Sequence, residues 1–322
     1  MPAVSVIVPA FNVAPYLGAA LDSIRSQTFE DFEALVIDDG STDATLAIAR
    51  DYAGRDPRIR VLHQPNGGIS SARNHGLRIS SSPLIALLDS DDLWTPEYLA
   101  RQTDILGRHP EVGIVTGNAW FLGSRWDGEP ARPTPDTSPA PDLGRIIADE
   151  TVIFIMSVFR RRVYETIGGF DEELRTNEDY DFWLRAAAAG FAFARNDTPL
   201  GYYRRRDDSL SASELRMLRG IIKVYFKTRP LVLDRPAELA TLDAQLARFQ
   251  GERLAAEARF AIETGDFAAA RDHLAALYDR RGGVALAAAR CMARCSPSLL
   301  TRVYNLRRAR LLGVPAAGTR LT

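Results

Sequence analysis

Four polar clusters in this chain of 322 residues combine side chains that can do chemistry, and each follows a short apolar run. The sharpest is Asp89-Ser90-Asp91, after Leu84–Leu88. Two carboxylates separated by one residue can both face one crevice, because side chains alternate along an extended backbone. Such a pair can hold a hard divalent cation against phosphate oxygens and neutralise the charge of a departing diphosphate. A solvated turn with an Asp cap on a helix near Pro96 is the plainer use of the same residues. Asp38 and Asp39 end a second run, where a carboxylate can accept the imino N–H of a uracil-like base. Asp43 is the better cap for the helix that follows, which leaves Asp39 free for a ligand. The stretch Asn66-Gly67-Gly68 through Arg73-Asn74 puts small residues and then a cation at a helix start, where backbone N–H groups favour an anion or a nucleotide. It lacks G-x-G-x-x-G, as does the turn Pro9-Ala10-Phe11-Asn12, so a dinucleotide fold of the dehydrogenase type finds no support. Further on, Asn177-Glu178-Asp179-Tyr180-Asp181 opens a helix. Its acidic first turn complements the helix dipole, which predicts an ionised Asp179 near neutral pH. Asp179 or Glu178 could there take the proton of an attacking hydroxyl.

These clusters need a scaffold that brings them together. Short apolar runs alternate with amphipathic stretches over the first half of the chain, the rhythm of βαβ units and a mainly parallel sheet. Strands are predicted at Ser5–Pro9, Phe32–Asp38, Ile59–His63, Leu84–Leu88 and Gly113–Gly117, with β character again over Thr151–Phe159. Helices are predicted over Tyr16–Ser26, Thr42–Tyr52, Ser70–Ile79 and Glu178–Ala189. Ligands of α/β sheets bind outside the carboxyl ends of the strands. Four polar strand ends in register therefore predict one composite site. The Pro-, Gly- and Asp-rich stretch Gly123–Asp142 reads as a mobile loop. From about Ser213 the pattern is almost purely helical, with a break at Gly265-Asp266-Phe267. One hairpin there is similar to a tetratricopeptide unit, but no second copy follows at a fixed period.

Seven motifs in order, VSVIVPAFN, VIDDGSTD, NGGISSARNHG, LLDSDDLW, GGFDEEL, NEDYDFWLR and YYRRRDDSLS, resemble those of the family 2 glycosyltransferases, whose catalytic domain has the GT-A fold. The match covers roughly residues 3 to 211. The resemblance implies an α/β GT-A domain, Rossmann-like with a mainly parallel sheet flanked by helices, over residues 1–212; the helical C-terminal extension over 213–322, read from its periodicity, is not covered by these motifs. It implies an inverting, metal-dependent transfer of a hexosyl-type sugar from a nucleoside diphosphate sugar, most simply a UDP-sugar, to a saccharide or lipid-linked acceptor of surface polysaccharide assembly. Pro9, Ala10, Phe11, Asn12, Asp39 and Asn66 would hold base and ribose, with Arg73 nearby. Asp89 would contact the ribose or the metal shell, and Asp91 would coordinate Mg or Mn. Asp179 would be the base and Glu178 would help to position the acceptor. Two positions depart from many relatives. Phe11 stands for Tyr, keeping the stacking surface without the hydroxyl. Arg206 stands for His; a guanidinium can pair with phosphate but cannot ligate a metal. The Gln-x-x-Arg-Trp motif of processive synthases is missing, which implies transfer of one sugar.

Composition narrows the alternatives. A net charge of −1 argues against a protein that neutralises nucleic-acid phosphates. No window approaches the apolar length of a membrane span, and the N-terminus lacks a basic signal region, so a cytoplasmic protein, soluble or peripheral at the inner membrane face, is expected. Cys291 and Cys295 share one helix face without an accompanying His or acidic pair and read as buried or idle thiols. Arg302, Arg307, Arg308 and Arg310 could meet an anionic membrane or simply form a solvated face. A nucleotidyltransferase would want a Gly-rich loop bearing Arg or Lys after the first strand, where this chain has Pro9–Asn12. A nucleotide-sugar-binding scaffold without catalysis would be expected to have lost Asp91 or Asp179, and both are present.

Overall fold

The structure is a computed structural model that describes residues 1–123, 126–132, 140–206 and 213–311, with side chains described through residue 306. The chain divides into two compact units, Met1–Ala212 with Lys223–Gln245, and Ser213–Ile222 with Leu246–Thr322.

In the first unit, β1 (Val4–Ala10), β2 (Phe32–Asp38), β3 (Ile59–His63) and β4 (Leu84–Leu87) form the parallel part of the sheet, in the order β3-β2-β1-β4. Helices α1 (Ala14–Arg25), α2 (Thr45–Arg55) and α3 (Ile69–Ile79) follow the first three strands in turn. Every residue of β1 and β2 is buried. Their mainly apolar character follows from helices covering both faces; the buried Ser5 hydroxyl donates to Glu33 Oε1 at 2.8 Å across the two strands. Val4, Val6 and Val8 join one core cluster with Leu17, Leu21 and Ile24 of α1. Leu35, Ile37 and Ala72 form another, facing α3.

Beyond β4 the sheet becomes mixed. Its order continues β7 (Ser157–Arg160), β6 (Val112–Leu122), β8 (Ala192–Arg204) and β5 (Leu93–Trp94). β7 is antiparallel to both β4 and β6, β6 is parallel to β8, and β5 is antiparallel to β8. β5 and β8 carry no sequence signal that predicts them. β8 contains Arg195, Asn196, Asp197 and Pro199, which break the apolar alternation, and its register slips against β6. The β character predicted over Thr151–Phe159 narrows to Ser157–Arg160, because only that segment reaches both neighbours. Part of the stretch predicted as a mobile loop folds back: the N–H of Phe121 donates to Glu129, and that of Ala131 to Ala119. Residues 124–125 and 133–139 of that stretch lie outside the described residues. Asp142 accepts the Arg145 N–H at 2.8 Å and caps α5 (Leu143–Ala148). The remaining helices of this part are α4 (Tyr98–Arg108), α6 (Arg161–Ile167) and α7 (Glu178–Ala188). The segment Lys223–Gln245, which begins inside α8 (Glu214–Thr228), joins the unit through Tyr225, whose hydroxyl lies 2.9 Å from the Ile147 carbonyl and 3.1 Å from the Tyr180 hydroxyl.

The second unit is helical. Ala258, Ala261 and Ile262 of α9 (Pro236–Thr264) pack with Ala270 and Leu274 of α10 (Phe267–Arg281), Ala293 of α11 (Val284–Cys295) and Leu300 of α12 (Pro297–Leu311). Asp266 accepts the Ala269 N–H at 3.0 Å and so caps α10 at the predicted break. Cys291 and Cys295 are free and exposed, not buried. Arg307, Arg308 and Arg310 have side chains outside the described residues. No helix among the described residues is long and apolar enough to cross a membrane.

The contact that seats α3 on the sheet depends on a glycine. A Cβ on Gly76 would lie 2.7 Å from Cγ2 of Ile7, which is fully buried. In an exposed helix Gly→Ala usually stabilises by about 1 kcal/mol. Here overpacking, typically about 1–3 kcal/mol, opposes that gain. Gly76→Ala is therefore expected to lower the urea midpoint of the first unit; a raised midpoint would show that Ile7 can move aside.

Candidate functional site

The loops after β1, β2 and β3 are stitched into one platform by side chains that carry their own turns. Asn12 takes a left-handed φ of 50°, and its Oδ1 accepts the Thr42 N–H at 2.8 Å. Asp43 accepts both the Thr45 N–H at 2.9 Å and the Ala14 N–H at 3.1 Å, so one carboxylate serves the starts of α2 and α1. Asp39 is not the free carboxylate that this capping would leave. Its two oxygens accept Gln64 Nε2 at 2.7 Å, the Gly67 N–H at 2.9 Å and the Gly68 N–H at 2.8 Å. Asn66 Nδ2 donates to the Asp39 carbonyl at 3.0 Å. Pro9 and Ala10 are buried within β1, whereas Phe11 is 47% exposed at its end. An aromatic face so presented is available for stacking.

Arg73 joins this platform to the rest of the site. Its side chain is 1% exposed, and it donates from Nη2 to Asp89 Oδ1 at 2.7 Å and from Nη1 to Glu178 Oε1 at 2.5 Å. Burial works against the guanidinium charge, but Asp89, Glu178 and Asp179 outweigh it and raise its pKa. The Arg73 Cζ lies 5.3 Å from the Phe170 ring centroid. The Phe170 backbone is in turn clasped by Asn74, which accepts its N–H at 2.7 Å and donates to its carbonyl at 2.8 Å. A Cβ on Gly169 would fall 2.3 Å from Asn74 Oδ1, so this clasp requires glycine. Asn74, Gly169 and Phe170 thus align Arg73. Asn74 and Gly169 lie within motif segments, but spacing alone gave them no role.

On the other side, Asp91 and Asp92 meet the end of β8. Arg206 Nη1 lies 3.0 Å from Asp91 Oδ2. Arg204 donates its backbone N–H to Asp92 Oδ1 at 2.8 Å and its Nε to the Asp91 carbonyl at 2.9 Å. Both guanidinium groups lie over the Tyr16 ring, at 5.0 Å for Arg204 and 4.7 Å for Arg206. Burial, then repulsion from Asp89, raises the Asp91 pKa, although Arg206 opposes this. Asp92 is raised further, by burial and then by Asp91 and Asp89, and its Oδ2 is buried without a hydrogen-bond partner. Arg204 is a site residue that sequence reasoning missed. It lies within the YYRRRDDSLS segment, but its placement depends on β8, whose strand pattern periodicity does not reveal.

Asp179 sits half-buried in the first turn of α7, behind Asn177, whose φ of 59° is left-handed and whose Oδ1 is buried without a partner. Unpaired buried polar atoms and such backbone strain gather at functional sites. The dipole does not keep Asp179 fully ionised. Burial first, then the neighbouring Glu178, push its pKa up to about 7, against the pull of Arg73.

Residues 5–168 match the family model for glycosyl transferase family 2. The chain belongs to glycosyl transferase family 2. Among its relatives, the uncharacterized glycosyltransferase EpsJ of Bacillus subtilis is 34% identical over 220 residues, which are 66% of this chain and 63% of EpsJ. The match thus spans less than two thirds of that protein. A PGL/p-HBAD biosynthesis glycosyltransferase of Mycobacterium bovis is 32% identical over 188 residues, 57% of this chain and 69% of that one. The fold resembles S. aureus TarS 1-349 in complex with UDP-GlcNAc, with a TM-score of 0.66 at 22% identity, covering 98% of this chain and 93% of that one. It also resembles the mannosyltransferase PcManGT of Pyrobaculum calidifontis in complex with GDP-Man and Mn2+, with a TM-score of 0.58 at 20% identity, over 97% and 85% of the two chains. The family 2 chain therefore has the GT-A fold, with a region of several helices at its C-terminus.

Two expectations follow for this family 2 site. Arg73→Ala would leave Asp89 and Glu178 as unpaired charges, a loss of about 3–5 kcal/mol for a broken buried pair. Arg73→Lys should restore little, since an ammonium cannot span both carboxylates as a fork. Denaturant unfolding reads both variants, and a near-neutral Arg73→Ala would show that the network carries no load. For Asp179 the sign follows from its raised pKa. A carboxyl raised above its unfolded value stabilises at low pH, and that contribution is lost as pH rises through the folded pKa. Asp179→Asn should therefore melt higher than the parent at pH 8 and alike near pH 4. Equal melting temperatures at both pH values would remove the basis for a perturbed Asp179.

Proposed function

We propose that the chain is a metal-dependent, inverting glycosyltransferase that moves a single hexosyl-type sugar from a nucleoside diphosphate donor, most simply a UDP-sugar, to a saccharide or lipid-linked acceptor of surface polysaccharide assembly. The observation that carries this reading is the Arg73 fork, which ties the Asp89-Ser90-Asp91 turn to the helix start bearing Asp179. A carboxylate with a pKa near neutrality beside a paired-aspartate turn is what a displacement assisted by a general base needs. The ligands of the two related structures, UDP-GlcNAc in TarS and GDP-Man with Mn2+ in PcManGT, support a nucleotide-sugar donor here. The name of the mycobacterial relative, a biosynthetic glycosyltransferase, supports a role in building a glycoconjugate.

The residues present fit a divalent cation of the Mg or Mn type. Arg73 meets Asp89 through Oδ1 and Arg206 meets Asp91 through Oδ2, so the second oxygen of each carboxylate stays out of these ion pairs. No cluster of three or more His, Cys, Asp or Glu ligands occurs among them. Mg-type ions need no more than one or two carboxylates when substrate phosphates complete the shell. Burial first, then repulsion among the carboxylates, raises Asp91 and Asp92, and such an ion would relieve that repulsion. Bound there, the ion would neutralise the leaving diphosphate.

Asp39 would accept a base imino N–H; a carboxylate offers about four acceptor sites, and three are in use. Phe11 would stack on the base or ribose, with Asn12 and Asn66 holding the loops around it. Asp179 would take the acceptor hydroxyl proton as that oxygen bonds to the anomeric carbon and the bond to the diphosphate oxygen breaks. The nucleoside diphosphate then leaves, and one displacement inverts the anomeric centre. Glu178, held by Arg73, would keep the Asp179 pKa raised and orient the acceptor side. Basic α12, with Arg302, would favour peripheral contact with an anionic membrane.

A panel of UDP-, GDP- and dTDP-sugars assayed with Mn2+ should find turnover with a uracil donor and an inverted product by NMR. Asp91→Ala should abolish it and weaken UDP binding in the presence of Mn2+. Asp179→Asn should lower kcat by about 10²–10⁴-fold with that affinity unchanged. The parent kcat/KM should rise with pH through an inflection near 7 that the Asn variant lacks. Retained configuration, or full activity after exhaustive chelation, would overturn the mechanism.

A further inference from the structure

We propose that Arg206 is a stand-in cation that occupies Asp91 until donor diphosphate draws it away, so that the metal-binding carboxylate is released together with nucleotide binding. This rests on the donor and metal reading above. Arg206 Nη1 holds Asp91 Oδ2 at 3.0 Å, and the side chains are only 14% and 21% exposed, so water screens the pair little. The guanidinium is steered there from one side by the Tyr16 ring, 4.7 Å from its Cζ. Arg204 fixes the other side, binding the Asp91 carbonyl and capping Asp92 without touching the Asp91 carboxylate through any hydrogen bond.

The charges set up a competition. A divalent cation at Asp91 would sit against a guanidinium bound to the same carboxylate, and the two repel at that range. Arg206 therefore weakens binding of the bare ion. A diphosphate offers the guanidinium a geometrically better anion, with oxygens that a planar fork can bridge. Once Arg206 turns to phosphate, both Asp91 oxygens are open to the ion. Nucleotide and metal then bind with positive coupling, and linkage makes that coupling reciprocal. A histidine at this position would be a metal ligand. Arginine instead makes the position exclude the metal until the donor arrives.

The test measures Mn2+ affinity of the full chain by electron paramagnetic resonance of the free ion, with and without saturating UDP. Asp91→Asn serves as the control that identifies the site. Without nucleotide, Arg206→Ala should bind Mn2+ at least about fivefold more tightly than the parent, the lower end of ordinary coupling factors. With UDP present the difference should shrink, so the factor by which UDP enhances Mn2+ binding is smaller in the variant. Arg206→Gln, which keeps length and polarity, replaces Arg206→Ala if circular dichroism shows the latter unfolded. In the metal-free protein, Asp91→Asn should tighten UDP binding, and tighten it less in the Arg206→Gln background. Equal or weaker Mn2+ affinity of the Arg206 variants without nucleotide, while UDP binding persists, overturns this inference alone. A parent chain that binds none of UDP, GDP and dTDP overturns the donor reading and this inference with it.

Discussion

The buried guanidinium of Arg73 is the constraint around which the site is organised. It bonds to both the turn after β4 and the first turn of α7. A buried cation is tolerable only when paired and hydrogen-bonded. Two carboxylates from distant parts of the chain supply those partners, and the requirement fixes where they stand. The same need explains features that have no chemistry of their own. Gly76 lets α3 lie close enough to β1 for Arg73 to reach inward, and Gly169 lets Asn74 clasp the backbone of Phe170 beneath the guanidinium.

Around that fork the site holds an excess of negative charge that the protein answers only in part. Asp89, Asp91, Asp92, Glu178 and Asp179 face Arg73, Arg204 and Arg206. The imbalance appears as raised pKa values at Asp91, Asp92 and Asp179, each dominated by burial and increased by a neighbouring carboxylate. Such an arrangement costs folding stability at neutral pH and gains on arrival of a cation. Reactive groups and stability therefore pull in opposite directions here. The left-handed Asn177 and its unpaired Oδ1 are a further cost at the same helix start.

The two halves of the sheet serve different ends. The parallel half is apolar and locally determined, and it carries the platform loops. The mixed half brings Arg204 and Arg206 to the acidic turn through β8, whose pairing with β6 tolerates register shifts. A rigid half and an irregular half thus meet at Asp89–Asp92.

By itself the sequence determined the parallel scaffold and picked out the candidate site side chains. β2 and β3 end where periodicity placed them, and β2, buried along its whole length, announces itself as a mainly apolar run. The paired aspartates, the acidic helix start and the glycine-rich turn have plain uses one by one, and were legible because they occur together in one ordered series. Tertiary structure alone decided β5, β8 and the partners of each charge. It took both oxygens of Asp39 into the turn at Gly67-Gly68, buried Glu178 against Arg73 and set Arg206 on Asp91. It also raised the Asp179 pKa above what the dipole alone would give, because the dipole is a local property that sequence reveals, whereas burial and a neighbouring carboxylate depend on what the rest of the chain packs around it.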